Sequence, residues 1–466
     1  MKFSALTLCC LLTLWGCAPV TSTIKPALDE EGELFVYLQP FPREAERLTF
    51  TIYRLSALRS DGVEFPLALS LTELQSSTVD RQRFLASARL PAGRYTGFSL
   101  EVKKAVLRGE EGAASLLVPG EPVKTEFEFE IRRRKAVTLA FQLRAAESLR
   151  SEFSFTPLFS PFAPQKPVIG LVGLVTNRND NTVAVFDKKS GQVTSIIATG
   201  RGPEGVALDQ KTGRAYVALS GEDAIEVIDV IAQRPVNRIV VTPGDQPGEL
   251  ALTPDGRTLV ALYAASNTTG IIDPFSLIEL DRIRVGDGPR SLLIDRAGRL
   301  CYVFNSFSNT ISIIDITKRT LVGTLSTEPG PFRGQFNRKG DRLYVIHEQG
   351  PYLTVIDAAS LSVIQRVLVG PALSAIKVDV TTDMLYTCRT QEPRIEVYDP
   401  FSLLPVDMIM VPAGGEYMTI DGEENNLYLL SAGSRMLTAV NLMTSKIVAE
   451  TDLGDVPFRV TMMGER

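Results

Sequence analysis

From about residue 172 to the end of the chain, short apolar runs alternate with polar turns, and the apolar spacing never becomes helical. Leu174-Val175-Thr176-Asn177, followed by Asn181-Thr182-Val183-Ala184-Val185-Phe186-Asp187, is the first copy of a recurring pattern. Its closing Asp returns as Asp229, Asp273, Asp315, Asp357 and Asp399, and then as Asn441, in steps of 42, 44, 42, 42, 42 and 42 residues. A second marker, a Pro after a Gly- or Asp-rich turn, falls at Pro203, Pro247, Pro289, Pro331, Pro371, Pro412 and Pro457. Two markers recurring together define a repeat.

Each period has one internal order. A short apolar run such as Gly205-Val206-Ala207-Leu208 follows the Pro, and a Gly-containing turn follows that. An aromatic and β-branched run comes next, for example Leu343-Tyr344-Val345-Ile346. An alternating segment ending in Asp (Thr310 to Asp315) and a last run such as Leu321-Val322-Gly323-Thr324-Leu325 complete it. Four short strands per period predict one blade of a β-propeller. The first copy, from about Val172 to Gly200, lacks the Pro-led strand, and the last, from Pro457, has only that strand. Joined, they make a seventh blade and remove the open sheet edges of an unclosed ring. The fold class is therefore all-β, a seven-bladed propeller over 171–466.

Residues 32–156 lack the repeat but alternate at period two, in Leu34 to Leu38, Leu48 to Tyr53, Phe98 to Val102, Phe127 to Ile131 and Val137 to Phe141. That many alternating strands predict a small antiparallel β-sandwich. Leu90-Pro91-Ala92-Gly93-Arg94-Tyr95 resembles the turn of transthyretin-like and DUF4382-type sandwich domains. The basic run Arg132-Arg133-Arg134-Lys135 reads as a solvated turn between strands, and as a phosphate-contacting patch in the alternative. Pro157, Pro161, Pro164 and Pro167 mark a stiff linker over 157–170.

The N-terminus changes the setting of both domains. Met1-Lys2 is followed by an apolar run from Phe3 to Leu14 and by Leu14-Trp15-Gly16-Cys17. The run is too short for a mature membrane span and reads as a signal peptide over 1–16. Its ending resembles a bacterial lipoprotein cleavage box, which implies lipidation of Cys17 and a tether over 17–31. By the same resemblance, Ala18 in the place of an Asp implies the outer membrane. The alternative is an ordinary signal peptide with an incidental Cys. Cys301 and Cys388 lie two blades apart and are expected as free thiols. A net charge of −5, without a basic stripe carrying aromatics, sets nucleic acid aside.

Leu174-Val175-Thr176-Asn177, Asn181-Thr182-Val183 and the Pro-Glu-Gly-Val-Ala of Pro203 to Ala207 together resemble the YVTN β-propeller repeat family. The resemblance implies export to the bacterial envelope and leaves activity open. The repeated Asp is read as a turn former, because Asp187, Asp273, Asp357 and Asp399 each have a Ser three residues later. His347 is the only His, which excludes imidazole-built copper or zinc centres and leaves one candidate for any catalytic triad. No cofactor or metal is assigned, although a carboxylate calcium site is compatible with the inventory.

Candidate binding residues come from comparing copies. The second strands end at Asn177, Leu219, Tyr263, Asn305, His347, Arg389 and Ser431, mostly polar and different in each blade. Around the channel on the same face stand Glu204, Glu249, Arg290, Arg333, Glu416 and Arg459. Positions that build the scaffold should repeat, and positions that serve a ligand are free to diverge. The expectation is an envelope lipoprotein whose propeller binds a protein or glycan partner through this face, with a solvated rim as the plain alternative. The rival is a lactonase-like or dehydrogenase-like enzyme, which predicts converging carboxylates of raised pKa at the channel mouth.

Overall fold

The apolar runs form strands throughout. The computed structural model describes residues 24–109, 112–151 and 153–466, so the leader and Cys17 lie outside the described residues. Among the described residues no helix is long and apolar enough to cross a membrane.

The first region is two sheets packed face to face. One has the strand order Phe159–Phe162, Ala136–Leu143, Glu31–Leu38, Arg83–Pro91, Ala68–Leu69. The other is built on Leu48–Arg59 and the long strand Gly93–Gly109, which also pairs with Val123–Ile131. Alternation puts Phe50, Phe98, Phe141 and Phe155 between them. Two features depart from the expectation. Glu31–Leu38 and Ala136–Leu143 pair in parallel, so the sandwich is not wholly antiparallel. Phe159–Phe162 is an edge strand within the stretch read as linker. The basic turn is a strand connection, with Arg132 paired to Glu130 at 2.7 Å, Arg133 to Glu30 at 2.9 Å and Arg134 to Asp29 at 2.6 Å.

Seven four-stranded antiparallel sheets follow. Blades I to IV begin with the inner strands Pro203–Asp209, Pro247–Leu252, Pro289–Ile294 and Pro331–Phe336. Blades V and VI begin with Ala375–Val378 and Tyr417–Asp421. Blade VII takes its inner strand, Pro457–Met462, from the end of the chain and its outer three from Val172–Asn177, Thr182–Asp187 and Gln192–Ala198. Second and third strands are buried on both faces and read as continuous apolar runs, such as Ala215 to Leu219. Fourth strands such as Arg234–Val240 meet solvent and tolerate charge. Within blade VII a large ring takes the room of a facing side chain: a Cβ on Gly173 would collide with the ring of Phe186 across the strands.

Two recurring polar devices hold the ring. The Asp-led turns are backbone caps: Asp187 Oδ1 accepts the Ser190 amide at 2.8 Å, Asp357 that of Ser360 at 2.7 Å and Asp399 that of Ser402 at 2.8 Å. The second device sits after the second strand. Asn181, Asn267 and Asn309 adopt left-handed backbone with φ of 56°, 52° and 56°. From there each Oδ1 accepts an amide that leads into the next blade, from Gly202 at 2.9 Å, Gly288 at 3.1 Å and Gly330 at 2.9 Å. Asn is the side chain that tolerates this conformation and can also bridge.

The sandwich lies on the outer edge of the closing blade. Gln82 donates to Val193 O at 3.1 Å and accepts its amide at 2.8 Å, and Thr138 Oγ1 accepts the Ile196 amide at 2.9 Å. Arg83 pairs with Asp452 at 2.7 Å, and Phe35, Tyr37 and Phe84 pack on Val193 and Ile196. The outermost strand of blade VII, otherwise an open edge, is thereby capped. Residues 24–30, expected as a free tether, dock on the propeller. Lys25 Nζ meets Asp180 at 2.6 Å, Asn181 Nδ2 donates to Lys25 O at 2.7 Å, and Arg89 reaches Pro26 O.

Candidate functional site

Inner strands begin on one face of the ring, and their second or third residues turn into the channel. Two arginines span it there. Arg459 of blade VII forms an ion pair with Glu249 of blade II and lies over the Tyr417 ring at 4.1 Å. Arg333 of blade IV donates to Glu416 O at 3.2 Å and lies over Phe332 and Tyr417 at 5.1 and 5.0 Å. Burial opposes the charge on Arg459, and Glu249 outweighs it, so that pKa rises. At Arg333 the attraction of Glu249 is outweighed. Burial, then repulsion by Arg459, pulls its pKa down to about 10. Its Nε has no hydrogen-bond partner, and no carboxylate lies within ion-pair distance among the described residues.

The other rim groups are engaged. Glu204 meets Arg178 at 2.9 Å and accepts Ser220 Oγ at 2.8 Å, and Glu416 accepts the Ala432 amide at 2.8 Å. Burial raises both carboxyls. They stand on blades I and VI, each held by its own partners. Arg290 is half exposed, paired with Glu348 at 3.0 Å, and beside it Phe307 is 75% exposed. Among the described residues no cluster of three or more His, Cys, Asp or Glu side chains is arranged to hold a metal ion.

The second-strand ends behave differently from the channel rim. Asn177, Tyr263, Asn305, His347 and Arg389 are buried, not presented to solvent. Tyr263, Asn305 and Arg389 meet the residue seven positions later, a diagonal neighbour on the third strand. Asn305 Nδ2 donates to Ser312 Oγ at 3.0 Å, and Arg389 Nη1 to Glu396 Oε2 at 3.0 Å. The Tyr263 ring covers Gly270 and its hydroxyl donates to Glu279 at 3.3 Å. Asn177 donates to Thr182 at 3.2 Å, with Ala184 at the diagonal. His347 is 1% exposed; its Nδ1 lies 3.3 Å from Tyr352 O, and burial pulls its pKa down to about 4. The divergence read as functional is therefore partly size and polarity matching within each blade. The signal was present in the sequence as paired changes at a spacing of seven.

At the opposite mouth the last residues bind inner strands to one another. Glu465 accepts from Thr419 at 2.5 Å and Thr461 at 2.6 Å, and Arg466 meets Asp379 at 3.1 Å. Beside them Lys188, fully buried, donates to Met463 O at 2.6 Å and pairs with Asp421 at 3.0 Å. Nothing in the repeat pattern singled out these groups, because they occur in one blade only.

No protein-family model and no curated protein sequence matches the chain. Among solved structures it is similar to hydrazine synthase of Kuenenia stuttgartiensis, at 18% identity over 60% of this chain and 93% of that one, with a TM-score of 0.50. It is also similar to a functionally unknown protein from Desulfotomaculum acetoxidans, at 15% identity over 62% and 98%, with a TM-score of 0.55. A third is the dihydro-heme d1 dehydrogenase NirN, at 12% identity over 66% and 78%, with a TM-score of 0.51. What the chain shares with them is the propeller itself.

Proposed function

We propose that the chain is a cell-envelope lipoprotein of YVTN-like repeat type, held to the outer membrane through Cys17. Its propeller acts as a non-catalytic binding module for a protein or glycan partner at the channel mouth. The observation that carries this reading is Arg333, a guanidinium enclosed by aromatic rings and left without a carboxylate while its neighbour Arg459 has Glu249. A charge so placed is completed by an incoming anion, which points to an acidic side chain or an acidic sugar on the partner. Arg290 and the exposed Phe307 supply a rim of the kind that interfaces favour.

The test is capture from detergent-solubilised membranes by the full-length protein, with mass spectrometry of what is retained. A specific partner retained by the wild type and lost with Arg333→Gln and Arg290→Glu supports the reading. Equal retention by all three overturns the face assignment, and a Cys17→Ser chain that stays on membranes through a salt wash overturns the anchor. A lactonase-like or dehydrogenase-like activity is the second reading, favoured by the raised carboxyls of Glu204 and Glu416. It requires turnover that Glu204→Gln abolishes.

A further inference from the structure

Blades I and V carry a glutamate at the same place on their third strands, and only one of the two is held in an ion pair. In blade V, Glu396 receives Arg389 from the diagonal position at 3.0 Å, and Tyr398 Oη donates at 2.9 Å. Burial acts to raise the Glu396 pKa, and those two bonds outweigh it and lower it. In blade I the diagonal position holds Leu219, which offers nothing to Glu226. Glu226 is 8% exposed, and its Oε2 has no hydrogen-bond partner among the described residues. Burial pushes this carboxyl up to about 7. One repeat is a completed ion pair; in the other the cross-strand neighbour Arg238 is paired with Glu222 and the acid is left unpaired.

The unmatched acid is not sealed in. Glu226 lines a cleft of about 520 Å³ where the docked segment Leu28-Asp29 and the basic turn at Arg134 approach blade I. The cleft's own cations are already committed. Arg238 pairs with Glu222, and Arg134 with Asp29 at 2.6 Å. Glu222 holds Arg201 as well, at 3.7 Å, and Arg238, opposite Glu226 across the strands, is drawn to Glu222, so Glu226 itself is left outside every ion pair.

We propose that Glu226 anchors a binding site for a guanidinium group that reaches it from outside, through the cleft. The guanidinium belongs to a small guanidine or to an arginine side chain of a partner. Its planar donors satisfy a carboxylate as Arg389 does, and a buried acid gains more from this than an exposed one. The site lies at the seam between sandwich and propeller, away from the channel mouth, and does not rest on the reading of that face.

Calorimetric titration of the full-length protein at pH 8 with ethylguanidinium tests it, with ethylammonium as the non-planar cation. Saturable binding of ethylguanidinium, weaker by roughly tenfold or more for ethylammonium and in Glu226→Gln, is the expected result. Leu219→Arg, which copies blade V, should abolish binding by filling the site internally. Glu226→Gln, nearly isosteric, keeps the test valid where Leu219→Arg does not fold. A blocked Gly-Arg-Gly peptide binding more tightly than ethylguanidinium identifies an arginine side chain as the natural group, and weaker binding identifies a small guanidine. Absence of saturable binding to the wild type, or equal affinity in Glu226→Gln, overturns the proposal.

Discussion

His347 illustrates what a titratable side chain does when it is enclosed for structural reasons. It is 1% exposed, Nε2 has no hydrogen-bond partner, and its pKa falls to about 4 from the usual 6.5. Below pH 6.5 the unfolded chain takes up a proton that the folded chain refuses, so stability falls as pH drops from 6.5 toward 4 and is untouched above that window. A shift of this size corresponds to about 3 kcal/mol when fully developed. Chemical denaturation at pH 7 and pH 4.5 should show a distinctly smaller loss in His347→Gln than in the wild type, whatever that variant costs at pH 7. An equal loss in both would place the acid sensitivity elsewhere.

At the scale of the strand and its turn, the Asn that follows the second strand in blades II, III and VII joins a left-handed corner to the next blade. Asn309 combines φ of 56° with a 2.9 Å bond from the Gly330 amide. Asn309→Ala forfeits both, at a cost of about 2 kcal/mol. Asn309→Gly, which keeps the corner and loses only the bond, should cost about half as much, as thermal unfolding would show. Elements were where the sequence was most legible. Strand order, the Asp-led turns and the shared closing blade follow from spacing, because period-two alternation and turn residues are local properties. The direction of strand-end side chains was not legible that way. Asn177, Tyr263, Asn305, His347 and Arg389 sit at the strand ends the spacing indicates, yet they are buried in the blade wall, facing residues five or seven positions on. The channel set fared differently: Glu249 and Arg459 meet only across the ring, a contact between residues 210 apart. Local pattern carries no information on which of several like charges will be neighbours after closure.

For the whole molecule, the sandwich and propeller share a boundary built on the seam blade. Gln82 matches both backbone groups of Val193, and Arg83 pairs with Asp452 of blade VI. The blade closed by both ends of the repeat is thus also the one braced from outside. Scanning calorimetry of Gln82→Ala combined with Arg83→Ala should split a single transition into two, with the propeller melting earlier than in the wild type. One unshifted transition would show that the boundary contributes little to cooperativity.

The docked segment at Lys25 has a consequence for posture. Lys25 is pinned to Asp180, in the loop beside the channel mouth, so any acyl group on Cys17 can pull only from that side. Seven residues, 18–24, separate Cys17 from Lys25 in sequence, and no chain of that length reaches further than on the order of 25 Å. A leash that short, leaving from the rim, would hang the disc with its open mouth toward the lipid. Whatever enters the mouth would then have to come from the bilayer side or slip through a gap narrower than the disc itself.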